Sequence, residues 1–169
     1  MTPKQPFFVT SSRSYEKLIL NRFGIVHFYH CFTGTEPRYA IPDGCVDMVF
    51  CCDPNHPYAE ICGTVLSPQV VLSECNTTYF GVRFLPGYNP VLGSADIMAH
   101  LVNHRIPLDD LIQDRRMLEG IWGASDFRQQ IRVFMRSYMN IYRRVCPQEH
   151  QNLLVLHSSN LMIRSGGGI

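Results

Sequence analysis

Net charge is nearly absent from this chain of 169 residues: 15 Lys and Arg stand against 14 Asp and Glu, a formal +1 with a pI near 7.6. A domain that grips nucleic acid by its phosphates is usually far more basic, which makes this chain by itself a poor candidate for that role. No apolar run approaches the ~18 residues of a membrane span, and no charged-then-apolar leader opens the sequence. C-x-x-C spacing is missing as well. The seven cysteines (31, 45, 51, 52, 62, 75 and 146) are odd in number and mostly sit in apolar runs. Without a signal peptide they read as buried free thiols of a reducing cytosol. Internal repeats and low-complexity segments are lacking too.

What is present fits one domain with a real core, or one domain plus an appendage. Apolar content of 46% and charged content of 17% exclude global disorder. The run Tyr79-Phe80-Gly81-Val82-Arg83-Phe84-Leu85 reads as a buried strand, ended by the turn residues Pro86-Gly87. Phe80, Val82 and Phe84 fall on one face; Tyr79, Gly81, Arg83 and Leu85 fall on the other. A lone arginine in such a run needs a partner to be buried. Upstream, after the turn Pro42-Asp43-Gly44, the run Cys45 to Cys52 is also strand-like and carries a single charge, Asp47. Asp47 and Arg83 are therefore expected to meet across adjacent strands. The pair admits two roles, a structural ion pair that fixes register or a polar effector site. Both faces of these strands are apolar enough to be covered, so the alternation leaves open which one lines a cavity.

Further strands are expected at Ile25–Phe32, Tyr58–Cys62 and Gln69–Glu74. A short one at Phe7-Phe8-Val9 is possible on pattern, Tyr15 to Leu20 is ambiguous, and Arg38 to Ile41 leads into the Asp43 turn. Turn signals recur roughly every ten residues, the spacing of an antiparallel sandwich or barrel. After Pro90 the texture becomes helical. Ser94 is an expected N-cap for a helix to about His104, and Asp109-Asp110 opens a segment towards Trp122. Ser125 or Asp126 caps a long helix to Val145 in which Phe127, Ile131, Phe134, Tyr138, Ile141 and Val145 form an apolar stripe. Met135, Met139 and Tyr142 widen it, while Gln129, Arg132, Arg136 and Arg143 lie opposite. Pro147 opens a last helix with Leu153, Leu154, Val155 and Leu156 apolar.

The order Pro42-Asp43-Gly44-Cys45-Val46-Asp47-Met48-Val49-Phe50, Gly63, Gly81-Val82-Arg83-Phe84-Leu85-Pro86-Gly87, Leu108-Asp109-Asp110-Leu111-Ile112 and two trailing helices resembles the N-terminal cupin-like sensor domain of AraC/XylS-type bacterial transcriptional regulators. The likeness covers roughly Ile25 to Arg164. It implies an α+β chain: a cupin-like antiparallel barrel or sandwich over residues 1–93, a helical linker and dimerisation segment over 94–160, and at 161–169 the start of a helix-turn-helix DNA-binding domain that continues beyond the Ser165–Ile169 turn. It further implies a cytoplasmic homodimer that binds a small-molecule effector, with no cofactor, no membrane partner and no chemistry of its own. Asp47, Arg83, His27, Tyr29 and Phe84 are the expected effector contacts. Met135, Met139 and Tyr142 are the expected dimer contacts.

The alternative is a small metal-dependent cupin enzyme, an isomerase or dioxygenase. Such enzymes hold their metal with two histidines two residues apart, a glutamate and a later histidine. This chain has no H-x-H and no histidine between His56 and His100. A makeshift site would draw on His27, His30, Cys31 and Asp47; His100 and His104 have one-turn helical spacing but no third ligand. Adjacent Cys51 and Cys52 point to opposite strand faces and cannot readily bridge, so they read as apolar filler rather than a redox sensor. A dimerisation scaffold that binds nothing is the third reading.

Overall fold

The computed structural model describes residues 15–35, 38–71, 76–91, 96–112 and 114–145. The segments expected at Phe7-Phe8-Val9, at the Ser94 cap, at Pro147 with Leu153–Leu156, and at 161–169 lie outside the described residues.

Alternating apolar runs form eight strands: β1 (Tyr15–Arg22), β2 (Ile25–Phe32), β3 (Arg38–Ala40), β4 (Asp47–Cys51), β5 (Tyr58–Cys62), β6 (Gln69–Val71), β7 (Thr78–Phe84) and β8 (Arg105–Pro107). Six of them make one antiparallel sheet in the order β1-β2-β7-β4-β5-β8; β3 and β6 pair separately. The ambiguous Tyr15 segment is thus a strand, and it forms one edge of the large sheet. Strand β8 has no counterpart among the expected strands: Ile106 pairs with Ile61 just past the expected end of the helix at about His104. No closed barrel is found among the described residues. The fold is α+β, two antiparallel sheets with a helical C-terminal region.

The β1–β2 connection is tight, with Asn21, Phe23 and Gly24 all at positive φ. Gly24 is further constrained because a Cβ there would fall 2.2 Å from the Tyr88 ring. Three helices follow the sheet: α1 (Ile97–Leu101), α2 (Arg115–Trp122) and α3 (Phe127–Val145), with a 3₁₀ turn at Leu108–Asp110. Asp114 caps α2 by accepting from Met117 N at 3.0 Å, and Asp126 caps α3 by accepting from Gln129 N at 2.8 Å. The expected helix to His104 stops earlier, because Asn103 turns the chain with φ +60° and frees residues 105–107 to join β5.

One face of the large sheet is the core. Phe28, Val82 and Met48 form one row across β2, β7 and β4, and Phe80 pairs with Phe50 in the next. All five are fully buried. Helix α3 closes this face with Phe134, whose ring lies 5.9 Å from Phe28, 6.2 Å from Phe50 and 6.4 Å from Phe80. Such offset and edge-on aromatic contacts add to what burial of area alone contributes. The expected stripe is close to the observed one, except that Gln130 and Tyr142 are buried while Ile131 and Ile141 are half-buried. The Arg132, Arg136 and Arg143 row is exposed.

Candidate functional site

With Phe28, Val82 and Met48 under the helix, alternation turns their neighbours to the opposite face. Register settles which residues stand together there. His27, Arg83, Asp47, Cys62 and Arg105 form one cross-strand row; Tyr29, Gly81, Val49 and Glu60 the next; Cys31, Tyr79, Cys51 and Tyr58 the third. The β3–β6 ribbon lies over this face, and between ribbon and sheet is a partly open cavity of about 130 Å³. A dry engineered cavity of ~150 Å³ takes up benzene, so this space suits a small metabolite.

Two structural devices make the room. The first is Gly81: a Cβ there would come within 2.0 Å of the Tyr29 ring, so the glycine lets Tyr29 lie across β7. The second is the Asp43 turn, whose Oδ1 accepts from Cys45 N at 2.9 Å. That bond aims the other carboxylate oxygen at Arg83, with which it forms a close ion pair. The ribbon is fastened at both ends. Arg38 lies 5.5 Å over the Tyr79 ring, and Asn103 Oδ1 accepts from Leu66 N at 2.8 Å.

Asp47 and Arg83 do meet, as register partners in adjacent strands. Their side chains are 9% and 4% exposed, and the nearest oxygen and nitrogen are 3.6 Å apart. That separation is an ion pair but too long for a hydrogen bond. The partner that sequence reasoning missed is Asp43. Its position in Pro42-Asp43-Gly44 was fully explained as turn chemistry, and nothing local signals that the second carboxylate oxygen reaches across to β7. Two carboxylates thus share one guanidinium. Among the described residues Asp47 Oδ1 has no hydrogen-bond partner. Burial raises the Asp47 pKa to about 6, offset in part by Arg83 and reinforced by Asp43. The same two carboxylates more than offset burial at Arg83 and raise its pKa.

The other expected contacts divide between the faces. Tyr29 lines the cavity, and burial raises its hydroxyl pKa. His27 is on the cavity side of the sheet, 2% exposed, with neither ring nitrogen hydrogen-bonded among the described residues. Burial, with Lys17 and Arg83 nearby, lowers its pKa to about 3, so it is neutral. Phe84 does not reach the cavity. It belongs to the Phe80/Val82 face and stacks on Tyr88 at 5.9 Å beneath Tyr138.

The proposed metal donors are not assembled. His30 alternates away from His27 and Asp47, and its ring lies 5.8 Å from Phe127 on the helix side. His104 lies past the end of α1, so its spacing from His100 is not helical; its Nδ1 is 2.7 Å from the Val102 carbonyl oxygen. Among the described residues no three His, Cys, Asp or Glu side chains are grouped to hold a metal ion. Cys31, Cys45 and Cys62 line the cavity, and burial raises the pKa of each. Cys52, on the helix side, is pushed to about 11. All are neutral thiols near pH 7.

On α3, Met135 and Met139 are half-buried and lean on the core. Tyr142 is 5% exposed, its ring edge-on to Phe23 at 5.5 Å, so it is engaged within this chain. No helix among the described residues is long and apolar enough to cross a membrane.

Residues 24–107 match a family model described as a domain of unknown function, DUF6597. The matched span runs from the β1–β2 turn to the end of β8 and contains every residue that lines the cavity. Helices α2 and α3 fall outside it. No curated protein and no solved structure matches the chain.

Proposed function

We propose that this chain is an effector-binding domain of the AraC/XylS kind, with a cupin-like sheet that holds a small molecule and helices that report its presence. The observation that carries the reading is the cavity lined by Asp43, Asp47 and Arg83 on the sheet face opposite α3. A buried carboxylate with an oxygen lacking a hydrogen bond costs stability in the empty protein. Departures of this kind from full polar satisfaction recur at functional sites. In this reading the domain is a homodimer in the cytoplasm, and DNA is contacted by a region other than the cavity-bearing sheet and its helices. The ligand acts by binding one arrangement of sheet and helices more tightly than another.

The test is a thermal-shift screen of sugars, small carboxylic acids, aromatic metabolites and amines. At least one class is expected to raise the melting temperature of the native chain and to lose its effect in Val49→Phe, which fills the cavity floor. If no class shifts it, the sensor reading fails. Dimerisation through the exposed parts of Met135 and Met139 predicts that Met139→Glu lowers the sedimenting mass to that of a monomer. An unchanged mass would remove α3 from the interface.

A further inference from the structure

The geometry points to a small amine, carried as an ammonium, as the cavity's occupant, with the Asp47 carboxylate as its partner. This inference rests on the sensor reading and narrows it to one ligand chemistry. Asp43 and Asp47 flank a single guanidinium, so among the residues lining that end of the cavity two negative charges stand against one positive, with Lys17 near Arg83 but outside the lining. The guanidinium is drawn to Asp43, and Asp47 is left with an ion pair at 3.6 Å and an oxygen that no described residue bonds. Its side chain lines the cavity while being nine-tenths buried.

Three ligand classes meet this end differently. A carboxylate brings a third negative charge beside the two already there. A hydroxyl can fill the missing hydrogen bond but leaves the excess charge unbalanced. An ammonium does both, with three donors for the oxygens of Asp47. Of the other cavity cations, Arg105 stands two strands along the row of Asp47 but is paired with Glu60 at 2.9 Å, and Arg38 lies over Tyr79 in the third row.

Protonation supplies a signature that hydroxyl binding lacks. Asp47 is faced by Arg83 from β7, Cys62 from β5, Tyr29 from β2, and Asp43 and Cys45 from the preceding turn. Burial sets the Asp47 pKa near 6, while the thiols of Cys45 and Cys62 and the Tyr29 hydroxyl are shifted upward and stay neutral. An amine that needs the ionised carboxylate therefore binds about fourfold more weakly at pH 5.5 than at pH 7.5.

The experiment is calorimetric titration of the full chain with ethanolamine, 1,4-diaminobutane and benzylamine, beside glycerol, glucose, acetate and benzoate. An amine is expected to bind, to weaken fourfold across that pH interval, and to lose at least tenfold in affinity in Asp47→Asn. The Glu119→Gln variant, which removes an exposed carboxylate on α2 outside the cavity lining, is expected to keep amine binding within about threefold. Binding by polyols or carboxylates alone overturns the amine assignment and leaves the sensor reading standing. Amine binding that persists in Asp47→Asn overturns it too. Absence of binding by all seven compounds counts against both.

Discussion

Asp47 is where cost and use meet at the scale of one residue. Its pKa rises from 3.8 to about 6 on folding, so between these values the folded chain binds the proton that the unfolded chain has released. Stability then falls as pH rises through this window, and ionised Asp47 costs on the order of 3 kcal/mol at neutral pH. His27 runs the other way. Its pKa falls from 6.5 to about 3, so its contribution is intact above 6.5 and is lost as pH drops towards 3. Between about pH 6 and pH 4 the two slopes oppose each other. Asp47→Asn removes one of them. The variant should melt above the parent at pH 7.5, with the difference shrinking to under about 1 kcal/mol at pH 4. Melting curves at four pH values decide it; a variant less stable than the parent at pH 7.5 would make the Asp47 charge a stabilising one. Gly81 makes a second residue-scale case. Gly81→Ala should cost about 1–3 kcal/mol by driving a Cβ into the Tyr29 ring. In a Tyr29→Ala background the same change should be nearly neutral, and denaturant unfolding of the four proteins measures the coupling.

Between strands and helices the decisive contact is Phe134 on α3, set among Phe28, Phe50 and Phe80. Phe134→Ala should cost about 3–5 kcal/mol, because the four rings interlock and cannot collapse into the space left. Urea unfolding would show it as a lower midpoint with an unchanged slope. At this scale the sequence was largely legible. Period-two runs gave β2, β5 and β7 within a residue, and two isolated charges of opposite sign in apolar strands gave the β4–β7 register through Asp47 and Arg83. Pattern alone could not say which face met the helices, since Val49 and Cys51 are as apolar as Met48 and Phe50. Phe84, expected at the cavity, lies under Tyr138 instead. Short β8 was illegible because three residues carry no period. Its existence depends on a free edge of β5, a tertiary fact.

For the whole molecule the sheet is a shared wall, with the cavity on one side and the aromatic core on the other. The family match at 24–107 spans five of the wall's six strands and the whole cavity lining, but not β1, nor α2 and α3 on the core side. Site and support are thus divided: every cavity residue lies within the match, while Phe134, which packs on Phe28 and Phe80, and Tyr138, which packs on Phe84, lie beyond it. A fragment of residues 15–112 would keep all the site residues yet present that aromatic face to water as one contiguous patch, larger than soluble monomers tolerate. It should aggregate, or bind a hydrophobic dye strongly and show no cooperative melt, where the full chain melts in one step. Adding residues 113–145 should restore both solubility and the melt. A fragment that folds cooperatively without α2 and α3 would mean that the sheet is stable by itself, and the helices could then leave it without unfolding the site.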